Sequence, residues 1–211
     1  MSPSADPRLN SVRTHLSTTA KVMWMALDEC APAILCAADL ITESLRNGGK
    51  LLLCGNGGSA ADCQHLATEF TCRLSADFIR PALPALALTT DTSFLTAYTN
   101  DFDFEGIFAR QVQAFGKPGD ALLGISTSGG SGNVVKAVQA ARSLGMKTIV
   151  LTGNRGALRD LADVAVCVPS ACTAHIQETH LAIEHIVCHL VERALYAQET
   201  DSQTAGAVRA A

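Results

Sequence analysis

Short, unbroken apolar runs recur along this chain and are separated by longer stretches with helical spacing. The runs at residues 50–54, 85–88, 121–125, 147–151 and 164–168 read as strands buried on both faces. Residues 7–46 carry a helical pattern in which Leu9, Val12 and Leu16 share a face. An alanine-rich second stretch at 31–45 places Pro32 in a first turn, where proline is tolerated, and stops at Asn47-Gly48-Gly49. Further helices are predicted at 59–74, at 133–144 before Gly145, and at 174–197 before a polar tail. Residues 75–84 read as irregular, and 94–115 as short helices interrupted around 100–103. Strands alternating with helices imply βαβ units and a parallel sheet covered on both faces.

Composition narrows this picture. With 211 residues the chain is read as one domain over 1–211, with a sheet core at about 50–170. Aromatics make up only 5% against 48% hydrophobic residues, so the core is expected to be aliphatic. A net charge of −4 argues against nucleic acid as a partner. No apolar run is long enough for a membrane span, and residues 1–7 lack a signal-peptide pattern. A cytoplasmic location is expected. The eight cysteines form no Cys-x-x-Cys pair and read as reduced thiols.

Two glycine- and hydroxyl-rich loops stand where a strand gives way to a helix. They are Gly55-Asn56-Gly57-Gly58-Ser59 and Ser126-Thr127-Ser128-Gly129-Gly130-Ser131. Such turns offer free backbone N–H groups at the positive end of a helix dipole, a site for an anion. The first loop also fits the dinucleotide pattern Gly-x-Gly-x-x-Ala, but a proline-broken stretch follows where that fold needs a strand ending in an acidic residue. The second holds four hydroxyl side chains in six residues, more than a turn requires. Together they point to a small phosphorylated ligand gripped without a Lys/Arg cluster.

His65 and Glu69 stand four residues apart on the helix that the first loop launches, so they share a face. An exposed polar pair is the commoner meaning of that spacing; a metal ligand pair or a proton-transfer pair is the alternative. The last helix carries His175, His180, His185 and His189, most of them expected on a solvent face. Gln177 and His185 fall within one quadrant of it and can share a site.

The motifs Cys-Gly-Asn-Gly-Gly-Ser (54–59) with His65 and Glu69, Thr-Asn-Asp-Phe (99–102), Gly-Ile-Ser-Thr-Ser-Gly (124–129) and Ile-Gln-Glu-x-His (176–180) occur in that order. From about residue 30 to 195 the chain resembles the sugar isomerase (SIS) domain family, and within it the phosphoheptose isomerases. The resemblance implies a three-layer α/β/α fold with a five-stranded parallel sheet and an N-terminal helical segment, assembled as a homotetramer. It implies conversion of D-sedoheptulose 7-phosphate to D-glycero-D-manno-heptose 7-phosphate through an enediol. Carried over by motif, Ser126, Thr127, Ser128 and Ser131 hold the phosphate. Asn56, Gly57, Gly58, Asn100 and Asp101 contact the sugar, with Arg73 a further substrate contact. Glu69 and His185 form the acid/base pair, and His65, Glu69, Gln177 and His185 match the positions that ligate one zinc ion in metal-bound members.

This chain departs from the family pattern in two places. Gly130 stands in the phosphate loop where many relatives have asparagine, and 75–84 lacks the arginine-rich stretch of many relatives. A rival reading is a non-catalytic SIS protein that binds a partner such as the replication initiator; retention of Glu69 and His185 favours the enzyme. A sugar-phosphate-sensing regulator is a third, but no clustered basic face precedes the first strand.

Overall fold

The computed structural model describes residues 6–208, with side chains through 197. The expected N-terminal polar segment therefore lies mostly outside the described residues. Five all-parallel strands, β1 (Leu51–Gly55), β2 (Ala85–Ala87), β3 (Ala121–Ser126), β4 (Lys147–Gly153) and β5 (Val164–Val168), form one sheet in the order β2-β1-β3-β4-β5. Every residue of β1 and β3 is buried, as expected of strands covered on both faces.

One face is covered by α1 (Arg8–Arg46), α2 (Gly58–Thr71) and α7 (Thr173–Val208). The other carries α3 (Thr92–Asp101), α4 (Ile107–Phe115), α5 (Gly132–Ser143) and the one-turn α6 (Leu158–Leu161), with a 3₁₀ turn at Phe104–Gly106. Two aliphatic cores result. Ile41, Leu53, Leu66, Ile125 and Ile183 belong to the first, and Leu52, Leu122, Val138 and Val150 to the second.

The sequence reading is corrected at both long helices. Residues 8–46 form a single helix of 39 residues with Pro32 in its interior, not two stretches with the proline in a first turn. Pro32 and Asp28, whose carbonyl loses its N–H partner, are both exposed, so water can take the freed group. Cys30, Ile34 and Ala37 bury the opposite side against the sheet and hold the helix through the break. At the other end, α7 continues past residue 197 to Val208, through a stretch with no Gly or Pro before Gly206. Among the described residues, no helix is long and apolar enough to cross a membrane.

Chain order reverses direction across the sheet between β1 and β3, whose partners run from Leu51 opposite Ala121 to Gly55 opposite Ile125. At such a switch point the loops leaving adjacent strands diverge to opposite faces and open a crevice at the strands' carboxyl ends. Both glycine- and hydroxyl-rich loops flank that crevice.

Candidate active site

The loop after β3 concentrates hydroxyls. Ser126 Oγ lies 2.9 Å from Ser131 Oγ and 3.4 Å from Ser128 Oγ. Ser131 is the N-cap residue of α5, yet its hydroxyl makes no capping bond. It turns toward Ser126, so the helix's N-terminal dipole and a cluster of neutral donors face the same space. Gly129 has φ +65°, and a Cβ there would collide with the Arg155 carbonyl, so glycine is required. Gly130 is exposed, and a Cβ at this position would meet nothing within 4 Å, so the departure from the family pattern opens no packing defect.

The loop after β1 faces a cavity of about 620 Å³ lined by Asn56, Gly57, Thr96, Asn100 and Phe104, among others. Asn56 and Asn133 exchange two amide hydrogen bonds, each 2.8 Å, which join this loop to the first turn of α5. Asn133 is buried, and its Oδ1 also accepts from Val134 N at 2.9 Å. The sequence reading passed over Asn133; its position two residues beyond Ser131 was the available signal. Asn100 lines the cavity, while Asp101, exposed, accepts from the Asn100 amide at 2.9 Å.

The helix pair α2/α7 brings the acid/base candidates together. His65 Nε2 lies 2.8 Å from His185 Nε2 and 3.7 Å from Glu69 Oε1. Glu69 Oε2 is buried and has no hydrogen-bond partner. The Glu69 backbone carbonyl accepts from Arg80 Nη2 at 2.6 Å, which fixes the end of α2. Gln177 packs against Gly58, where a Cβ would strike its amide, and donates to Asp62 Oδ2 at 2.9 Å. Asp62, one turn before His65, was missed by the sequence reading; burial pushes its carboxyl above the usual range. Arg73 is exposed and lies beyond the end of α2, not on the helix one turn after Glu69.

The four histidines of α7 correct the expectation that most decorate a solvent face. His175 and His180 are buried, His185 is half-buried and only His189 is exposed, because α1, α2 and the sheet enclose the helix. His180 Nε2 faces the Thr152 carbonyl at 3.2 Å, and burial lowers its pKa to about 4. One turn on, Glu184 is fully buried with neither carboxyl oxygen hydrogen-bonded, and burial, aided by Asp62, pushes it up to about 8.

Between pH 5 and 8 the unfolded chain loses the Glu184 proton while the folded chain keeps it, so this group weakens the fold as pH rises. The Glu184→Gln variant is expected to gain about 2–3 kcal/mol over wild type between pH 5 and pH 7.5. Paired urea titrations at the two pH values read that difference; His180 is common to both proteins and cancels.

The crevice at the switch point of this 2-1-3-4-5 sheet is where open α/β sheets bind small ligands. The SIS domain family model matches residues 15–153. The chain is 49% identical over 197 residues to a phosphoheptose isomerase of Roseiflexus, covering 93% of this chain and 99% of the relative. Two solved phosphoheptose isomerases superpose on it. That of Neisseria gonorrhoeae has TM-score 0.81 and 42% identity over 87% of this chain and 98% of its own. That of Francisella tularensis has TM-score 0.84 and 38% identity over 89% and 100%. The chain belongs to the phosphoheptose isomerase family of SIS-domain proteins.

Proposed function

We infer that this protein is a sugar-phosphate isomerase that converts D-sedoheptulose 7-phosphate to D-glycero-D-manno-heptose 7-phosphate. The carrying observation is the convergence of His65, Glu69 and His185 on the helix that leaves the first loop and on its neighbour α7. In this reading Ser126, Thr127, Ser128 and Ser131 hold the phosphate at the N-terminus of α5. Asn56, Gly57, Gly58, Asn100 and Asp101 line the sugar side, with Gln177 against Gly58.

A ketose becomes an aldose when the proton on the carbon beside the carbonyl is removed and one is returned to its neighbour. The Glu69 carboxylate, with one buried oxygen free of hydrogen bonds, serves as the base at C1 and returns the proton at C2. His185, paired with His65, shuttles hydroxyl protons and opens the ring, a task suited to an imidazole near neutral pH. Because the cradle is neutral, the phosphate is held by hydrogen bonds and the helix dipole.

The donor types at this site are ones zinc accepts, although the ligand atoms of His65, Glu69 and His185 do not all lie within 4.8 Å of one another. His65 Nε2 and His185 Nε2 lie 2.8 Å apart, joined by one N–H···N hydrogen bond whose proton an ion would displace, and the buried Glu69 Oε2 has no hydrogen-bond partner. His65, Glu69, Gln177 and His185 would hold the ion, a nitrogen and oxygen set acceptable to zinc. Bound there, zinc would polarise the carbonyl and stabilise the developing enediolate. Chelation is expected to lower turnover, and added zinc to restore it. Turnover unchanged by exhaustive chelation would remove the metal from the account but not the acid/base pair.

Asn133→Ala is expected to raise KM by about 5–100-fold, because Asn56 loses its only amide partner across the crevice at a cost of about 1–3 kcal/mol. Steady-state kinetics with sedoheptulose 7-phosphate measure this, and a KM within twofold of wild type would contradict the role. Assembly is proposed as a homotetramer in the cytoplasm. Trp24, 72% exposed, and Leu16, Leu27, Leu35 and Ile186 leave apolar surface along α1 and α7 suited to a second copy. All eight cysteines are unpaired, as in a reducing compartment.

A further inference from the structure

A second group of metal-ligating side chains lies outside the active site, where the first turns of α1 meet the start of α7. His15 and Thr19 stand one turn apart on α1, and His175 and Glu178 one turn apart on α7. His15 Nε2 is 2.6 Å from Glu178 Oε1, and His175 Nδ1 is 3.3 Å from Glu178 Oε2. One ligand atom from each of His15, His175 and Glu178 lies within 4.8 Å of the other two. Among the described residues, no other trio of His, Cys, Asp or Glu closes to that distance.

We propose that His15, His175 and Glu178 form a second binding site for a divalent transition-metal ion of the zinc, cobalt or nickel type. Two imidazoles and one carboxylate are the donor set of such ions rather than of calcium or magnesium, which prefer oxygen throughout. Pairs of ligands projected from adjacent helices are how helix packings build metal centres. Tetrahedral coordination at about 2.0–2.1 Å per ligand requires neighbouring donors a little over 3 Å apart. The two Glu178 contacts, 2.6 and 3.3 Å, bracket that spacing, and the two histidines offer donor atoms within 4.8 Å of each other. His15 and His175 also line a surface cavity of about 440 Å³ with Asn10, Ser11, Thr14 and Thr18, which supplies an entry path and room for a water as fourth ligand. The Thr19 hydroxyl lies 2.5 Å from Glu178 Oε2 and 2.8 Å from His175 Nδ1, positioned to orient the carboxylate.

The site is distinct from the active centre. His175 and Gln177 are two residues apart and so point about 200° from one another around α7. It also lies where α1 most needs a tie: the first buried residue of that helix is Val22, and residues 8–21 are exposed or half-buried. An ion here staples those turns to α7.

The test uses the His65→Ala/His185→Ala protein, in which the proposed active-site ion cannot bind, titrated with Co²⁺ after chelation. One Co²⁺ per chain with a visible ligand-field band is expected. A hundredfold excess over Kd is expected to raise the melting midpoint by about 5–10 °C. Adding His15→Ala, a change at a half-exposed position, should abolish the band, and Glu178→Gln should weaken binding at least tenfold; far-UV circular dichroism checks that each variant is folded. No Co²⁺ bound to the parent variant, or binding unaffected by His15→Ala, overturns the proposal. None of these readouts depends on turnover, so failure here leaves the isomerase reading intact, and the reverse also holds.

Discussion

Replacing Glu69 by Gln is expected to lower kcat on sedoheptulose 7-phosphate by about 10²–10⁴-fold, with KM and the unfolding midpoint close to wild type. The amide matches the carboxylate in shape but cannot accept and return the substrate proton. Glu69 is suited to this separation of effects. Its Oε2 is buried without a hydrogen-bond partner, so no structural bond is lost at that atom. Its backbone carbonyl, which the substitution leaves in place, keeps the Arg80 contact at 2.6 Å. A variant that turns over within a few fold of wild type would remove Glu69 from the chemistry. Equal inactivity of wild type and variant would favour the non-catalytic, partner-binding reading.

Arg80→Ala is expected to destabilise the fold by about 3–5 kcal/mol. The Arg80 side chain is fully buried and bonded at every branch. Nε donates to Glu192 Oε2 at 3.1 Å, Nη1 to the Phe70 and Pro81 carbonyls at 2.8 and 3.0 Å, and Nη2 to the Glu69 carbonyl at 2.6 Å. These bonds satisfy two of the carbonyls orphaned at the end of α2 and neutralise a carboxylate on α7 that is itself fully buried. Truncating the arginine leaves that charge unpaired in the core. The loss should appear as a shift of the urea midpoint at unchanged slope. The double variant Arg80→Met/Glu192→Leu should recover a large part of it, because no buried charge then remains. A single variant within 1 kcal/mol of wild type would contradict this account. Because Arg80 also sets the position of Glu69, the alanine variant should lose activity even where it remains folded.

Much of the architecture was readable from the chain because buried parallel strands are written as unbroken apolar runs. The run at 164–168 coincides with β5, and 121–125 falls one residue short of β3. Helix ends marked by glycine, such as Gly145, were equally legible. Pro32 misled because local propensity places it in a first turn, whereas burial of Cys30, Ile34 and Ala37 holds a continuous helix around it. In the candidate site, His65 on α2 lies beside His185 on α7 and 3.7 Å from Glu69. Spacing alone did not reveal Asn133, Asp62 or Arg80, whose parts depend on partners far along the chain: 77 residues away for Asn56–Asn133, 115 for Asp62–Gln177 and 112 for Arg80–Glu192. The histidines of α7 were misplaced for the same reason, since periodicity says which share a face but not what packs against it.

The central claim is that a carboxylate on α2 moves a proton between C1 and C2 of a phosphoheptose held at the β1/β3 switch point. Its most direct test is NMR of sedoheptulose 7-phosphate incubated with the wild-type protein in D₂O. The Glu69 side chain is 15% exposed, so the proton it takes can exchange with solvent before it is returned. The account predicts D-glycero-D-manno-heptose 7-phosphate carrying deuterium at C2, with deuterium also washing into C1 of the remaining ketose. No heptose product, or the same product and labelling at an undiminished rate with Glu69→Gln, would contradict it.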